Sequence, residues 1–175
     1  RYVHVVRNGL DMAFSENQNQ LHRFGRYFLG TDVALSGLFT PIGLGQSFAG
    51  ALDGLGHKIT GLEINLPSSN NIGLFSQVGG NPGNQYYGFL GVRNLGVVLG
   101  DTGVVGGTNV GGLAGTLTNV GVVTNSYVSG TGAVSGTGNN IGGLIGTGGG
   151  SATVSYSFAS AAGNSPVTAF NLPSK

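Results

Sequence analysis

Six carboxylates and three imidazoles supply the acid–base chemistry of this chain: Asp11, Glu16, Asp32, Asp53, Glu63 and Asp101, with His4, His22 and His57. Cysteine is absent, which removes thiolate nucleophiles and sulfur ligands. A glycosidase needs two carboxylates flanking one sugar. Asp32, Asp53 and Glu63 are the acids available for that role, yet nothing in their spacing requires them to meet. Asp53 opens Asp53-Gly54-Leu55-Gly56, a turn signal in which Asp hydrogen-bonds its own backbone. Glu63 stands between Leu62 and Ile64, the position of an outward residue on a half-buried strand. The histidines lie far apart with no H-x-x-x-H pair, so no zinc site is expected. Serines such as Ser15 and Ser36 lack a His and Asp framework. The Gly-rich segments lead into no Lys-Ser/Thr and no helix, so they do not cradle phosphate. The expectation is no catalytic residue, no metal and no cofactor.

The distribution of charge is more informative than its amount. From Thr102 to Ser174, 73 consecutive residues contain no Asp, Glu, Lys, Arg or His. Four of the seven basic residues, Arg1, Arg7, Arg23 and Arg26, fall at the start and interleave with Asp11 and Glu16, the pattern of a solvated cap. A net charge of +1 without a basic cluster excludes nucleic acid as a partner. No apolar run approaches the roughly 18 residues of a membrane helix. No signal peptide opens the sequence, so the chain reads as beginning after a processing site or as a piece of something longer. The lack of cysteine suits export across a bacterial envelope.

The uncharged stretch repeats. Asn109-Val110-Gly111-Gly112-Leu113-Ala114-Gly115 returns 31 residues later as Asn140-Ile141-Gly142-Gly143-Leu144-Ile145-Gly146, and Val92, Val123 and Val154 keep the same step. A fixed period of this size marks a solenoid. Each unit holds three short apolar runs, here Val92–Leu99, Gly103–Val105 and Val110–Ala114, separated by Gly or Asn corners. Stacked coils then align like positions about 4.8 Å apart. Leu113 stacks on Leu144 and Val110 on Ile141 inside. Asn94 and Asn125 form a corner ladder that ends where Tyr156 takes the third place. The recurring glycines answer a tight bend, or a positive φ, where a Cβ would clash. Thr116 with Thr147 and Thr124 with Ser155 make two rows too short and mixed for an ice-binding face.

Upstream, 1–7 reads as a strand, Leu10–Phe24 as a short helix stopped by Gly25, and Tyr27–Leu35 as a strand. Phe39–Gly43 is a turn leading into Ser47–Leu52. Asn71-Ile72-Gly73-Leu74-Phe75 is a first, imperfect copy, 38 residues before the next. The surplus of seven falls in Asn81–Tyr87, a loop that bulges from one corner. In it Asn84, Gln85, Tyr86 and Tyr87 combine amides with aromatics, a mixture suited to carbohydrate or protein contact.

These segments together resemble the GLUG-motif repeats of large bacterial secreted proteins, over roughly residues 24 to 160. Phe39–Gly43 with Phe48–Leu62 is similar to the entry of such an array, NIGLF, NVGGLAG and NIGGLIG to its namesake element, and NSYVSG at 125–130 to its partner strand. Members occur in filamentous-haemagglutinin-like adhesins, other surface proteins and some bacterial immunoglobulin-protease precursors. The resemblance implies a right-handed parallel β-helix outside the cell, serving as stalk, spacer or binding surface, and implies no activity.

The expected protein is thus all-β: one right-handed parallel β-helix of about five coils, with an N-terminal cap containing a short helix over 1–26, coils over 27–160 and a tail over 161–175. Its expected role is structural, as a segment of a bacterial surface adhesin or a self-assembling fibre subunit, secreted or held at the cell surface. Its expected partners are further copies docked head to tail, or a host or surface glycan or protein, with no membrane insertion. The alternatives are a binding module using the 81–87 loop, and a polysaccharide-degrading β-helix enzyme.

Overall fold

Short β-rich runs punctuated by Gly and Asn cannot bury their apolar faces alone, so they pair with their own copies further along the chain. The computed structural model of the protein describes residues 3–7, 24–80 and 91–161. β1 (Val3–Val6) comes first. A first set follows, β2 (Arg26–Leu29), β3 (Val33–Ala34) and β4 (Ile42–Phe48), then a second, β5 (Ala51–Asp53), β6 (Lys58–Asn65) and β7 (Phe75–Val78). The third set is β8 (Gly91–Arg93), β9 (Gly96–Gly106), β10 (Val110–Gly111) and β11 (Ala114–Leu117). The fourth is β12 (Val122–Thr124), β13 (Tyr127–Gly130), β14 (Val134–Gly136), β15 (Ile141–Gly142) and β16 (Ile145–Gly148), and β17 (Thr153–Ser155) and β18 (Phe158–Ala161) open a fifth.

Successive sets feed the same three sheets in the same order. The first sheet runs β1-β2-β5-β8-β12-β17, the second β18-β13-β9-β6-β3 with β14 beside β9, and the third β16-β11-β7-β4; β10 and β15 form a two-stranded fourth. Every strand pairing among the described residues is parallel. The molecule is therefore all-β and β-helix-like.

The interior is a set of columns. Val92, Val123 and Val154 are paired in line, as are Val110 and Ile141, and the Leu113 N–H donates to the Leu144 carbonyl at 3.0 Å. Val110, Leu113 and Leu144 are fully buried, and Ile141 packs against the same core. Each such aliphatic side chain contributes about 1.5–3 kcal/mol through burial. At the N-terminal end of the described core the columns become aromatic: Phe48 packs on Phe75 with ring centroids 4.9 Å apart and on Tyr27 at 6.1 Å.

The recurring glycines have a single physical cause. Of the two alternatives, close approach is the one observed, since neither Gly111 nor Gly146 has positive φ. A Cβ on Gly146 would stand 2.5 Å from the Gly115 carbonyl oxygen and 2.5 Å from the Val110 nitrogen. At the corners, positive φ falls on Asn71, Asn94, Asn109, Asn125 and Asn140, at 46° to 63°, among others.

Several strand limits differ from the sequence reading. Tyr27–Leu35 divides into β2 and β3, with Gly30, Thr31 and Asp32 making the corner between them. Val92–Leu99 likewise divides at Asn94, whose φ of 56° turns the chain, and Gly103–Val105 belongs to β9. Phe39–Gly43 is less a turn than the approach to β4, where a register shift lies between Ile42 and Ser47. Gly43 and Gly45 supply the positive φ for this bulge, at 68° and 79°. The surplus residues number eight, because the pairing step is 39 at Val78↔Leu117 and 31 at Gly91↔Val122. The first copy lacks one of the paired glycines, which hid one residue of the excess. The insertion lies within 79–90, mostly outside the described residues, as do the expected helix and the tail beyond residue 161.

Candidate functional site

Asp32, Asp53, Lys58 and Arg93 gather at one corner, between the first and second sheets. Asp53 ends β5. Its Oδ1 accepts from the Leu55 N–H at 2.9 Å and from Asn94 Nδ2 at 3.0 Å, and its Oδ2 accepts from Arg93 Nε at 2.9 Å. Burial raises the Asp53 pKa, but these donors and the Arg93 charge outweigh it and hold the group below its ordinary value. Asp32 sits one set earlier, just before β3. It accepts from the Lys58 N–H at 3.0 Å and pairs with His57 Nδ1 at 3.2 Å. The Lys58 backbone bond is the main cause of its lowered pKa.

Glu63 points outward from β6, as its place between Leu62 and Ile64 requires, and accepts from the Thr102 N–H at 2.7 Å. Bonds from the Thr102 side chain and backbone lower its pKa. Asp101 accepts from Thr131 Oγ1 at 2.6 Å. Each of these four acids is thus engaged with a neighbouring turn of chain. All three lowered values favour the carboxylate form, the reverse of what a general acid requires. Among the described residues no three His, Cys, Asp or Glu come together to hold a metal ion.

Two amide columns run across the strands. Asn125 Nδ2 donates to Asn94 Oδ1 at 2.8 Å, so the expected pair is present, and the column continues through Asn94 to Asp53. Tyr156 occupies the next place with a φ of 48°. The second column escaped sequence reasoning. Asn140 Nδ2 donates to Asn109 Oδ1 at 2.8 Å, and Asn109 Nδ2 donates to Asn71 Oδ1 at 2.9 Å. Its signal was in plain view, since Asn opens all three copies of the repeated element. In both columns the left-handed backbone that Asn tolerates makes the corner, and the side chain ties it to the next. Ser126 adds a buried link: its Oγ lies 3.3 Å from the Leu95 N–H, while its own N–H donates to Ser157 Oγ at 3.1 Å.

A shallow groove lies beside Asp53 on the outer face of the first sheet. Its lining includes Arg26, Phe28, Ala51, Asp53, Leu55 and Arg93, and its volume is about 360 Å³. Sequence reasoning did not assemble it. The other candidate binding residues, Asn84, Gln85, Tyr86 and Tyr87, lie outside the described residues.

The comparisons bear on the fold. No family model and no curated protein matches the chain. Among solved structures it is similar to a Bacteroides ovatus protein described as a candidate immunoglobulin A1 protease, with a TM-score of 0.50 and 15% identity, covering 90% of this chain and 67% of that one. At that identity the likeness extends to the β-helix-like architecture alone.

Proposed function

We propose that this chain is a structural extracellular β-solenoid, closed and right-handed with about five coils, serving as a segment of a bacterial surface adhesin or as a fibre subunit. The observation that carries this reading is the use made of the polar groups. Asp32, Asp53, Glu63 and Asp101 each bind a neighbouring turn of chain, and the asparagines bind one another in columns. Among the described residues these carboxylates and amides tie neighbouring turns of chain together, which supports a structural role. The resemblance to GLUG-motif repeats supports the same reading, since those arrays serve as stalks and spacers of exported proteins. The test has two arms. Antibodies against the folded chain are expected to label intact cells of the producing bacterium. The purified chain is expected to release no product from acidic or neutral polysaccharides or from immunoglobulin A. Turnover that disappears in Asp53→Asn would replace this reading with an enzymatic one.

A further inference from the structure

The corner between the first and second sheets changes residue type at its last described turn. Asn94, Asn125 and Tyr156 follow β8, β12 and β17 at steps of 31, each with a left-handed backbone, at φ of 56°, 46° and 48°. Asparagine takes that conformation readily and a bulky aromatic does not. Asn125 also ties its corner to the one before, through the bond from its Nδ2 to Asn94 Oδ1 at 2.8 Å. Tyr156 does neither job. Its side chain is 89% exposed and makes no hydrogen bond or ring contact among the described residues. Asn125 Oδ1 is thus left without the amide that Asn94 Oδ1 receives. Ser157 then turns back to its neighbours, its Oγ accepting from the Ser126 N–H at 3.1 Å and donating to the Ser155 carbonyl at 2.8 Å. Phe158 faces outward again, 56% exposed, its ring stacked on Tyr127 at 5.4 Å and 10°. Gly96 seats this stack: it pairs with Tyr127 one strand earlier, and a Cβ there would run into the Tyr127 ring.

We propose that Tyr156, with Phe158 and Tyr127 beside it, is a docking platform for a neutral sugar, a hexopyranose unit of an uncharged surface glycan. A strained and unburied Tyr156 lowers the stability of the fold, so what compensates it lies outside the chain. The size of the patch sets the size of the partner. Tyr156 and Phe158 together leave roughly 300 Å² open. That is well under the ~800 Å² that each side of a stable protein pair contributes. It is enough to cover a sugar ring. Charge sets the class of ligand. Residues 102–174 hold no Asp, Glu, Lys, Arg or His, so a charged ligand would lose hydration here with nothing to offset the loss. The polar groups at hand are an amide and two hydroxyls: Asn125, and the Thr124 and Ser155 hydroxyls joined at 2.9 Å in the adjacent row. They match sugar hydroxyls, which both donate and accept, while an aromatic face packs on the C–H face of a pyranose. Strand addition at the β18 edge works through backbone groups and is a separate event.

The site deepens the adhesin reading, and its role rests on that reading. The experiment is saturation-transfer NMR and calorimetry of the dilute folded chain with cellotetraose, whose β-glucose units carry their substituents equatorially and so present C–H faces. Saturable binding at millimolar sugar is expected. Tyr156→Asn restores the corner residue of the two preceding turns. It is expected to weaken binding about tenfold or more while raising the urea midpoint. Phe158→Leu should weaken binding too, with the folded spectrum kept. Leu38→Ser, which removes a side chain 66% exposed between β3 and β4, should leave binding unchanged. Absence of binding at millimolar sugar, equal binding by Tyr156→Asn, or a lower midpoint in that variant would overturn the site. So would shielding of the Tyr156 phenol from nitration as chain concentration rises, without any response to sugar, which would assign the ring to a second copy. None of these results touches the solenoid reading, which rests on the columns, and a failure to label intact cells would leave sugar binding by the purified chain as measured.

Discussion

Asp53 shows how one side chain makes the stability of this molecule depend on pH. It accepts hydrogen bonds from Leu55, Asn94 and Arg93, and its pKa is lowered from 3.8; Asp32 is lowered from the same value and Glu63 from 4.5. A depressed folded-state pKa means that the folded chain binds fewer protons than the unfolded chain. The resulting stability is fully present above the unfolded value and is lost as pH falls through the folded one. Urea unfolding followed by circular dichroism is therefore expected to give a flat midpoint from about pH 7 to 5 and a decline below about pH 4. Asp53→Asn should lower the neutral midpoint, because Arg93 loses its anion, and should make the acid decline shallower. An unchanged acid slope in that variant would remove Asp53 from the account. At the interior end of the same scale, Leu144 is fully buried in line with Leu113. Leu144→Ala should cost about 2–5 kcal/mol in the same assay, because the core packed around it closes only in part.

The strand-and-corner unit succeeds because each corner residue answers both a backbone and a side-chain demand. Asn109 has a φ of 58°, donates to Asn71 and accepts from Asn140. Asn109→Gly keeps the backbone freedom and loses the two amide bonds, whereas Asn109→Ala loses both. The alanine variant is thus expected to be the less stable by roughly 1 kcal/mol, and equal stabilities would mean that the corner carries no backbone strain. This double role also explains what the sequence could reveal. The step of 31 was legible because Val, Leu, Asn and Gly recur with little change, and it located the Val110, Ile141, Leu113 and Leu144 columns correctly. The corner at Asn94 was hidden because a non-glycine residue makes it inside an apolar run. The groove was hidden for a different reason. Its lining residues pair by steps of 25 at Phe28↔Asp53 and 40 at Asp53↔Arg93, so no fixed period brings Arg26, Asp53 and Arg93 together.

At the scale of the whole molecule, length along the stack decides what a single chain can do. Among the described residues the longest run of paired strands is six. Five steps of about 4.8 Å span roughly 24 Å, far too short for a stalk on its own. Extension requires further turns, supplied either by the same polypeptide or by other copies. In the last strands Tyr156 is 89% exposed and Phe158 56% exposed, with the Phe158 ring stacked on Tyr127 at 5.4 Å. The last 73 residues before Lys175 bring no charge to oppose the approach of another sheet edge. Sedimentation velocity over a hundredfold range of concentration is accordingly expected to show growth of the purified chain. Phe158→Lys should suppress it by setting a cation beside the final strand, without loss of the folded spectrum. A head-to-tail contact that does not close on itself generates filaments, so the larger species should be linear and heterogeneous in electron micrographs. A wild-type chain that stays monomeric throughout the range would assign extension to further turns of one longer polypeptide.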